Sequence, residues 1–151
     1  MAEILVAIDG SKYSNKIVDF ACDLAKKMGE DLVLIYVSKD PDIVEDYIEI
    51  GGRIPRASSQ KAAVEIAESI TSDFAKRIEN RGIAHQLVLE SGRPAEKIVS
   101  TATERKCDMI VIGLKGLHGV ERIRSIGSVS RRVLESSPCP VAIVNIEKKV
   151  S

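Results

Sequence analysis

The sequence predicts an α/β fold, a five-stranded parallel sheet in the order 3-2-1-4-5 with helices on both faces. Two observations lead there. Short runs that are apolar along their whole length alternate with segments apolar on one helical stripe, the pattern of strands buried on both sides. The short polar turn after the first run and the richest glycine loop, after the fourth, would meet only in that order. A flavodoxin-like order, 2-1-3-4-5, would open the ligand crevice between strands 1 and 3; the order 3-2-1-4-5 opens it between strands 1 and 4.

Each element has its own signal. Glu3–Ile8 is a continuous apolar run ending at Asp9-Gly10-Ser11, a strand followed by a turn. Ile17, Phe20, Ala21, Leu24, Ala25 and Met28 recur at helical spacing, which predicts an amphipathic helix over 14–28. Ser14 can cap its start, and Gly29 ends it after Lys26-Lys27. Leu32–Val37 reads as the second strand. Residues 38–58 are irregular, broken by Pro41, Gly51-Gly52 and Pro55. Helical periodicity returns at Ala63, Ile66, Ala67, Ile70, Phe74 and Ile78 and stops at Gly82. Gln86–Leu89 is the third strand, closed by Ser91-Gly92. Pro94 suits the first turn of a helix whose buried face is Ala95, Ile98, Val99 and Ala102. The fourth strand is placed at 108–112, the loop at 113–126, a helix near 128–136 stopping before Pro138, and the last strand at Val141–Asn145. Right-handed crossovers restrict how these connect. No second domain and no repeat is visible, so residues 1–151 are expected to form a single domain.

Composition narrows the function. The 22 basic and 22 acidic side chains cancel, which gives no electrostatic reason to expect nucleic acid or an anionic membrane as partner. Cys22, Cys107 and Cys139 are far apart and lack metal-ligand spacing. Cys22 and Cys107 read as small core residues. No signal peptide and no long apolar run is present, which predicts a cytoplasmic protein. No phosphate-binding loop of the Gly-Lys-Ser/Thr kind, zinc-protease motif or nucleophilic triad is present, and no catalytic residue or metal ligand is assigned.

One feature points to chemistry. Gly113-Leu114-Lys115-Gly116, with Gly127-Ser128 beyond it, follows the most apolar strand, Met109–Ile112. Glycines there allow close backbone approach, and the helix that follows offers unpaired N–H groups and a positive dipole end. Together they suit a phosphate. A plain strand-to-helix loop is the competing reading of Gly113 and Gly116, and helix capping that of Ser128. Asp9 is open to a role in binding base, ribose or Mg²⁺, or to an Asx-turn over Asp9–Ser11. Lys115, Arg122 and Arg124 can neutralise phosphate or remain solvated cations.

The ordered set of motifs resembles the universal stress protein family. It begins with Ile4-Leu-Val-Ala-Ile-Asp-Gly-Ser-Lys-Tyr-Ser14 and continues through Leu34–Val37 and Gly92-Arg-Pro94. Asp108–Gly113, Gly127–Ser130 and Ser137–Val144 complete it. The resemblance implies binding of ATP, or of ADP or AMP in its place, with Mg²⁺. In the family's nucleotide-binding pattern, nine residues separate Gly-x-x-Gly from Gly-Ser or Gly-Thr; here ten, 117–126, lie between Gly116 and Gly127. The resemblance further implies that Gly113, Leu114, Lys115, Gly116, Gly127, Ser128, Val129 and Ser130 hold the phosphates through backbone N–H groups. The Ser128 and Ser130 hydroxyls would add hydrogen bonds, and Ala7, Ile8, Asp9 and Val37 would line the base and ribose pocket. It implies a homodimer joined along Val141–Asn145, whose apolar, uncharged run lies at a sheet edge. The expected role is a nucleotide-dependent stress sensor or regulator with slow or absent turnover. The alternative is a stress protein that does not bind ATP and works as a dimeric interaction or chaperone-like module.

Overall fold

A computed structural model of the chain describes residues 2–9, 14–38, 58–114 and 126–145. Its elements run β1 (Glu3–Ile8), α1 (Ser14–Met28), β2 (Asp31–Ser38), α2 (Ser58–Glu79), β3 (His85–Ser91), α3 (Pro94–Arg105), β4 (Met109–Gly113), α4 (Ser128–Ser136) and β5 (Val141–Val144). The strands form one parallel sheet in the order β3-β2-β1-β4-β5, as the sequence predicts. β1, α1 and α4 fall where expected. β2 and β3 are longer than their apolar runs because polar residues at their ends still pair, Asp31 with Glu3 and Ser38 with Ser91. β4 is displaced by one residue from the expected 108–112, since Gly113 continues the ladder by pairing with Val144. β5 ends at Val144, one residue early.

Alternation along β1 divides the core into two layers. Ile4, Val6 and Ile8 join Ile17, Val18 and Ala21 of α1 and Phe74 and Ile78 of α2. Leu5 and Ala7 join Ala95, Ile98 and Ala102 of α3 and Val133 of α4. Between two helical layers the central strands have no solvent face, which is why they read as unbroken apolar runs.

Two terminations position the foot of the sheet. Gly29, at φ +67°, ends α1 in the left-handed region, and the next N–H, of Glu30, donates to Ala25 O at 3.0 Å. Lys106 adopts the same conformation at φ 55° after α3 and costs a side-chain-bearing residue some strain. The carbonyls of Ala102 and Thr103 accept the N–H groups of Cys107 and Lys106, which satisfies that helix end. Arg105, in the last turn of α3, forks onto both Glu3 carboxylate oxygens at 3.1 Å and also donates to Gln86 Oε1, tying α3 to β1 and β3.

Glu30 and Asp108 stand beside one another at this foot. Glu30 Oε2 is buried with no hydrogen-bond partner. Burial first, then the hydrogen bond and charge of Asp108, push the Glu30 carboxyl from 4.5 up to about 7. Below 4.5 both the folded and the unfolded chain hold this proton. Between 4.5 and about 7 the unfolded chain releases it while the folded chain keeps it, so folding stability falls as pH rises through that window. Glu30→Gln is therefore expected to melt higher than the parent above pH 7, with the difference shrinking toward acid. Thermal melts across the pH range check this, and an unchanged pH profile would remove the carboxyl pair as its cause.

Candidate functional site

The site begins where the sheet stops being continuous. β1 pairs with β2 as far as Ile8↔Tyr36, and β4 pairs with β5 as far as Gly113↔Val144. The β1–β4 ladder ends earlier, at Val6↔Val111. The two inner strands therefore part over their last residues, each held to its outer neighbour, and a crevice opens beyond their carboxyl ends. This is the position at which doubly wound sheets bind ligands.

On the β4 side, Gly127 is the N-cap of α4, with φ −66°, ψ 159° and no side-chain cap. Ser128 is thus the first helical residue and not the cap that local sequence allowed. The N–H groups of Ser128, Val129 and Ser130 precede the first intrahelical bond, from Arg131 N–H to Gly127 O at 3.0 Å. They are the donors that the helix itself cannot use.

Two other expected donors are committed elsewhere. Leu114 N–H donates to Val144 O at 2.9 Å, and Gly127 N–H donates to Leu114 O at 2.8 Å. The Ser130 side chain is also redirected, because its buried hydroxyl donates to Gly113 O at 2.6 Å. A hydroxyl has one proton, so in this arrangement Ser130 offers a phosphate its N–H and not its side chain. The Gly127 and Ser130 bonds fasten the start of α4 to the end of β4, and the Leu114 bond fastens that end to β5. Neither Gly113, inside a strand, nor Gly127 is among the glycines with positive φ. The left-handed conformation for which a loop often needs glycine is therefore used at neither position. Lys115, Gly116, Arg122 and Arg124 lie outside the described residues, as do Gly10, Ser11 and residues 39–57.

On the β1 side, Asp9 is half-buried, and its carboxylate accepts the Ser14 hydroxyl at 3.1 Å while its N–H donates to the same oxygen at 3.4 Å. Ser14 is fully buried. Its hydroxyl locks the strand end to the first turn of α1, a role that its place as a helix cap in the sequence did not reveal. Ala7 and half-buried Val37 face the α3/α4 layer, the same side as α4. Ile8 does not: its side chain is buried among α1 and α2, and only its backbone borders the opening. The strict alternation of β1 forces this, since Ala7 and Ile8 cannot both face one layer. Tyr36, which sequence reasoning missed, pairs with Ile8; burial and then the Asp9 charge push its phenol upward. Register against β1 is the signal that would have found it.

A doubly wound α/β domain with a donor-bearing helix start at its switch point is thus defined, and the comparisons name its class. The sequence model of the universal stress protein family matches residues 1–145, and the chain belongs to that family. Universal stress protein YxiE of Bacillus subtilis is 29% identical over 145 residues, covering 94% of this chain and 97% of that protein. Two solved structures share the fold. A universal stress protein in complex with cAMP has a TM-score of 0.69 at 24% identity, covering 97% and 98% of the two chains. One from Archaeoglobus fulgidus in complex with dAMP has a TM-score of 0.67 at 21% identity, covering 96% and 98%. Among the described residues no helix is long and apolar enough to cross a membrane.

Ser130→Ala would leave the buried Gly113 carbonyl short of its donor. A loss of about 1–2 kcal/mol in folding stability is expected, read as a lower urea midpoint at constant slope. A midpoint equal to that of the parent would show that this bond does not hold α4 to β4.

Proposed function

We propose that the protein binds ATP across the opening between β1 and β4 and acts as a nucleotide-dependent stress regulator or sensor. The observation that carries this reading is the set of three N–H groups, of Ser128, Val129 and Ser130, left without intrahelical partners at the start of α4. Helix dipole and N–H groups together favour an anion there. The glycine-rich stretch Gly113–Gly116 would bring further backbone to the phosphates, with Lys115 adding charge. Asp9, Ala7 and Val37, with the backbone of Ile8, would meet ribose and base, and Mg²⁺ would accompany the phosphates. Adenine monophosphates are bound by two structural neighbours, so AMP and cAMP compete with ATP as the ligand. Backbone amides hold charge without transferring protons, which suits binding more than turnover.

The second reading is a dimeric interaction or chaperone-like module that does not bind ATP. The ten-residue spacing between Gly116 and Gly127 favours it, as does the internal use of the Gly127 and Leu114 N–H groups. In either reading the protomers would pair through β5, whose four residues are all half-exposed at the sheet edge.

Ser128→Pro separates the two. Proline is tolerated at the first helical position, and the extended Gly127 before it already has the conformation that a following proline requires. The change removes one donor while leaving the helix intact. Calorimetric titration of nucleotide-free protein with Mg-ATP, AMP and cAMP is expected to show binding that Ser128→Pro weakens roughly 10- to 100-fold, the worth of one hydrogen bond to a charged group. Absence of binding by all three would overturn the nucleotide reading. Binding indifferent to Ser128→Pro would overturn the placement of the phosphates at α4, and loss on Gly116→Val alone would move them to the glycine stretch.

The dimer has its own test. Light scattering should give twice the 16.4 kDa chain mass. Bonds from Ile110 N–H to Pro140 O and from Leu114 N–H to Val144 O turn those β5 carbonyls toward β4, so Ile143 presents its N–H to the open edge. Ile143→Pro removes that donor without touching the β4 ladder and is expected to yield monomer with an unchanged circular dichroism spectrum. Persistence of the dimer would place the interface elsewhere.

A further inference from the structure

We propose that Cys107 and Cys139 form an intramolecular disulfide on exposure to peroxide, stapling the foot of β4 to the foot of β5. The placement of the two thiols carries this. Cys107 stands two residues ahead of β4, and Cys139 two residues ahead of β5. These strands are neighbours in the sheet, paired Ile110↔Val141, with Ile110 N–H on Pro140 O at 3.0 Å. Their backbones therefore run about 5 Å apart, within the range over which a disulfide joins two chains. Both side chains point into the same α3/α4 layer, Cys107 within it and Cys139 packed against it. Both thus lie on one side of the sheet, and the register carried back from Ile110↔Val141 sets Cys139 opposite Asp108, one residue from Cys107. The Cys139 charge is among the influences acting on the Cys107 thiol, which burial pushes up to about 11.

The two thiols differ in exposure. Cys107 is 6% exposed and protonated, whereas Cys139 is half-buried and reachable. Ser137 fixes Cys139 in place: its hydroxyl donates to Cys139 O at 2.6 Å, accepts Cys139 N–H at 3.2 Å and lies 3.7 Å from the sulfur. Prolines on both sides, Pro138 and Pro140, hold the backbone further. Cys139 is therefore the sulfur that meets the oxidant. Its thiolate attacks a peroxide oxygen, the O–O bond breaks, and a sulfenic acid and one water form once a proton is taken up. Cys107 sulfur then attacks Cys139 sulfur, the S–O bond breaks, and the Cys107 proton leaves with the hydroxyl as a second water. The two thiols lose two electrons and two protons, and the peroxide is reduced to two waters.

The closed loop would contain β4, the whole glycine segment and α4, so the bond would clamp both ends of the stretch that bears the candidate phosphate donors. Cys22 lies fully buried in the opposite layer, on α1, and serves as an internal control. The bridge requires no bound nucleotide.

The test is treatment of the purified protein with hydrogen peroxide, followed by intact mass, alkylation of residual thiols and peptide mapping. The expected result is a loss of 2 Da, Cys22 alone alkylated, a cross-linked peptide joining the two segments, and a higher melting temperature that dithiothreitol reverses. Cys139→Ser should show no mass loss. In Cys107→Ala, the Cys139 sulfenic acid has no partner and should advance to a gain of 32 Da. Since position 139 is half-exposed, the serine variant keeps the test valid even if the alanine variant folds poorly. The proposal is overturned if Cys107 stays alkylatable while Cys139 gains oxygen, if the bridge forms between two chains, or if all three thiols survive.

Discussion

The constraint on which this structure rests is that a parallel strand cannot be left bare on either face. Each strand of the sheet needs a helix above and below, and right-handed crossovers lay α1 and α2 on one side and α3 and α4 on the other. To switch sides, the chain must return past β1 and add β4 against its free edge. β1 and β4 are consequently joined by no direct connection, and the helices that follow them, α1 and α4, lie in opposite layers. The ladder between them ends two residues below the strand tips, while the outer ladders continue. The crevice is a product of covering the sheet before it is a site for any ligand.

What makes that crevice chemically specific is which backbone donors are already used. Leu114 and Gly127 spend their N–H groups on closing the loop, and Ser130 spends its hydroxyl on Gly113 O. The Gly127 and Ser130 bonds fix the start of α4 against β4, and the Leu114 bond ties the end of β4 to β5. A fixed helix start is worth more to an anion than a mobile one, because the ordering cost is met in folding. The same reasoning applies opposite, where buried Ser14 holds Asp9 by two contacts. Groups that look like ligand contacts in a motif serve here as the frame, and beside them stand the amides of Ser128, Val129 and Ser130, which the helix itself cannot bond.

How much of this could be read from the chain depends on the kind of interaction. Strand order followed from where two loops had to meet, and both layers followed from apolar runs and one-sided helices. Ends of elements were less legible: Asp31 and Ser38 extend β2 because their backbones find partners, a fact their polar side chains conceal. At the site, Asp9 and Gly127 were visible as types, but the direction of a side chain was not. Ile8 and Ala7 are neighbours in sequence and enter different layers. The Ser130 hydroxyl could be assigned only once Gly113 O was seen beside it. Tyr36 and Ser14 were hidden because their importance lies in register and tertiary contact, which no local pattern records.

The two ends of the sheet also divide the chemistry. Among the described residues, two groups pushed well above their ordinary range, Glu30 and Cys107, stand at the foot, where burial raises both, with the Asp108 carboxyl adding to it at Glu30 and the Glu3 charge at Cys107. Perturbation of that kind often marks catalysis. Here, however, it sits at the amino ends of the strands, opposite the crevice. At the carboxyl ends, α4 starts with three amides that the helix itself cannot bond, and the Asp9 carboxylate is tied to the Ser14 hydroxyl. β4 joins the two ends, with Cys107 and Asp108 ahead of its first residue and Gly113 at its last. β5 runs beside it from Cys139 at the foot to Val144, the partner of Gly113, so both strands connect the foot to the opening.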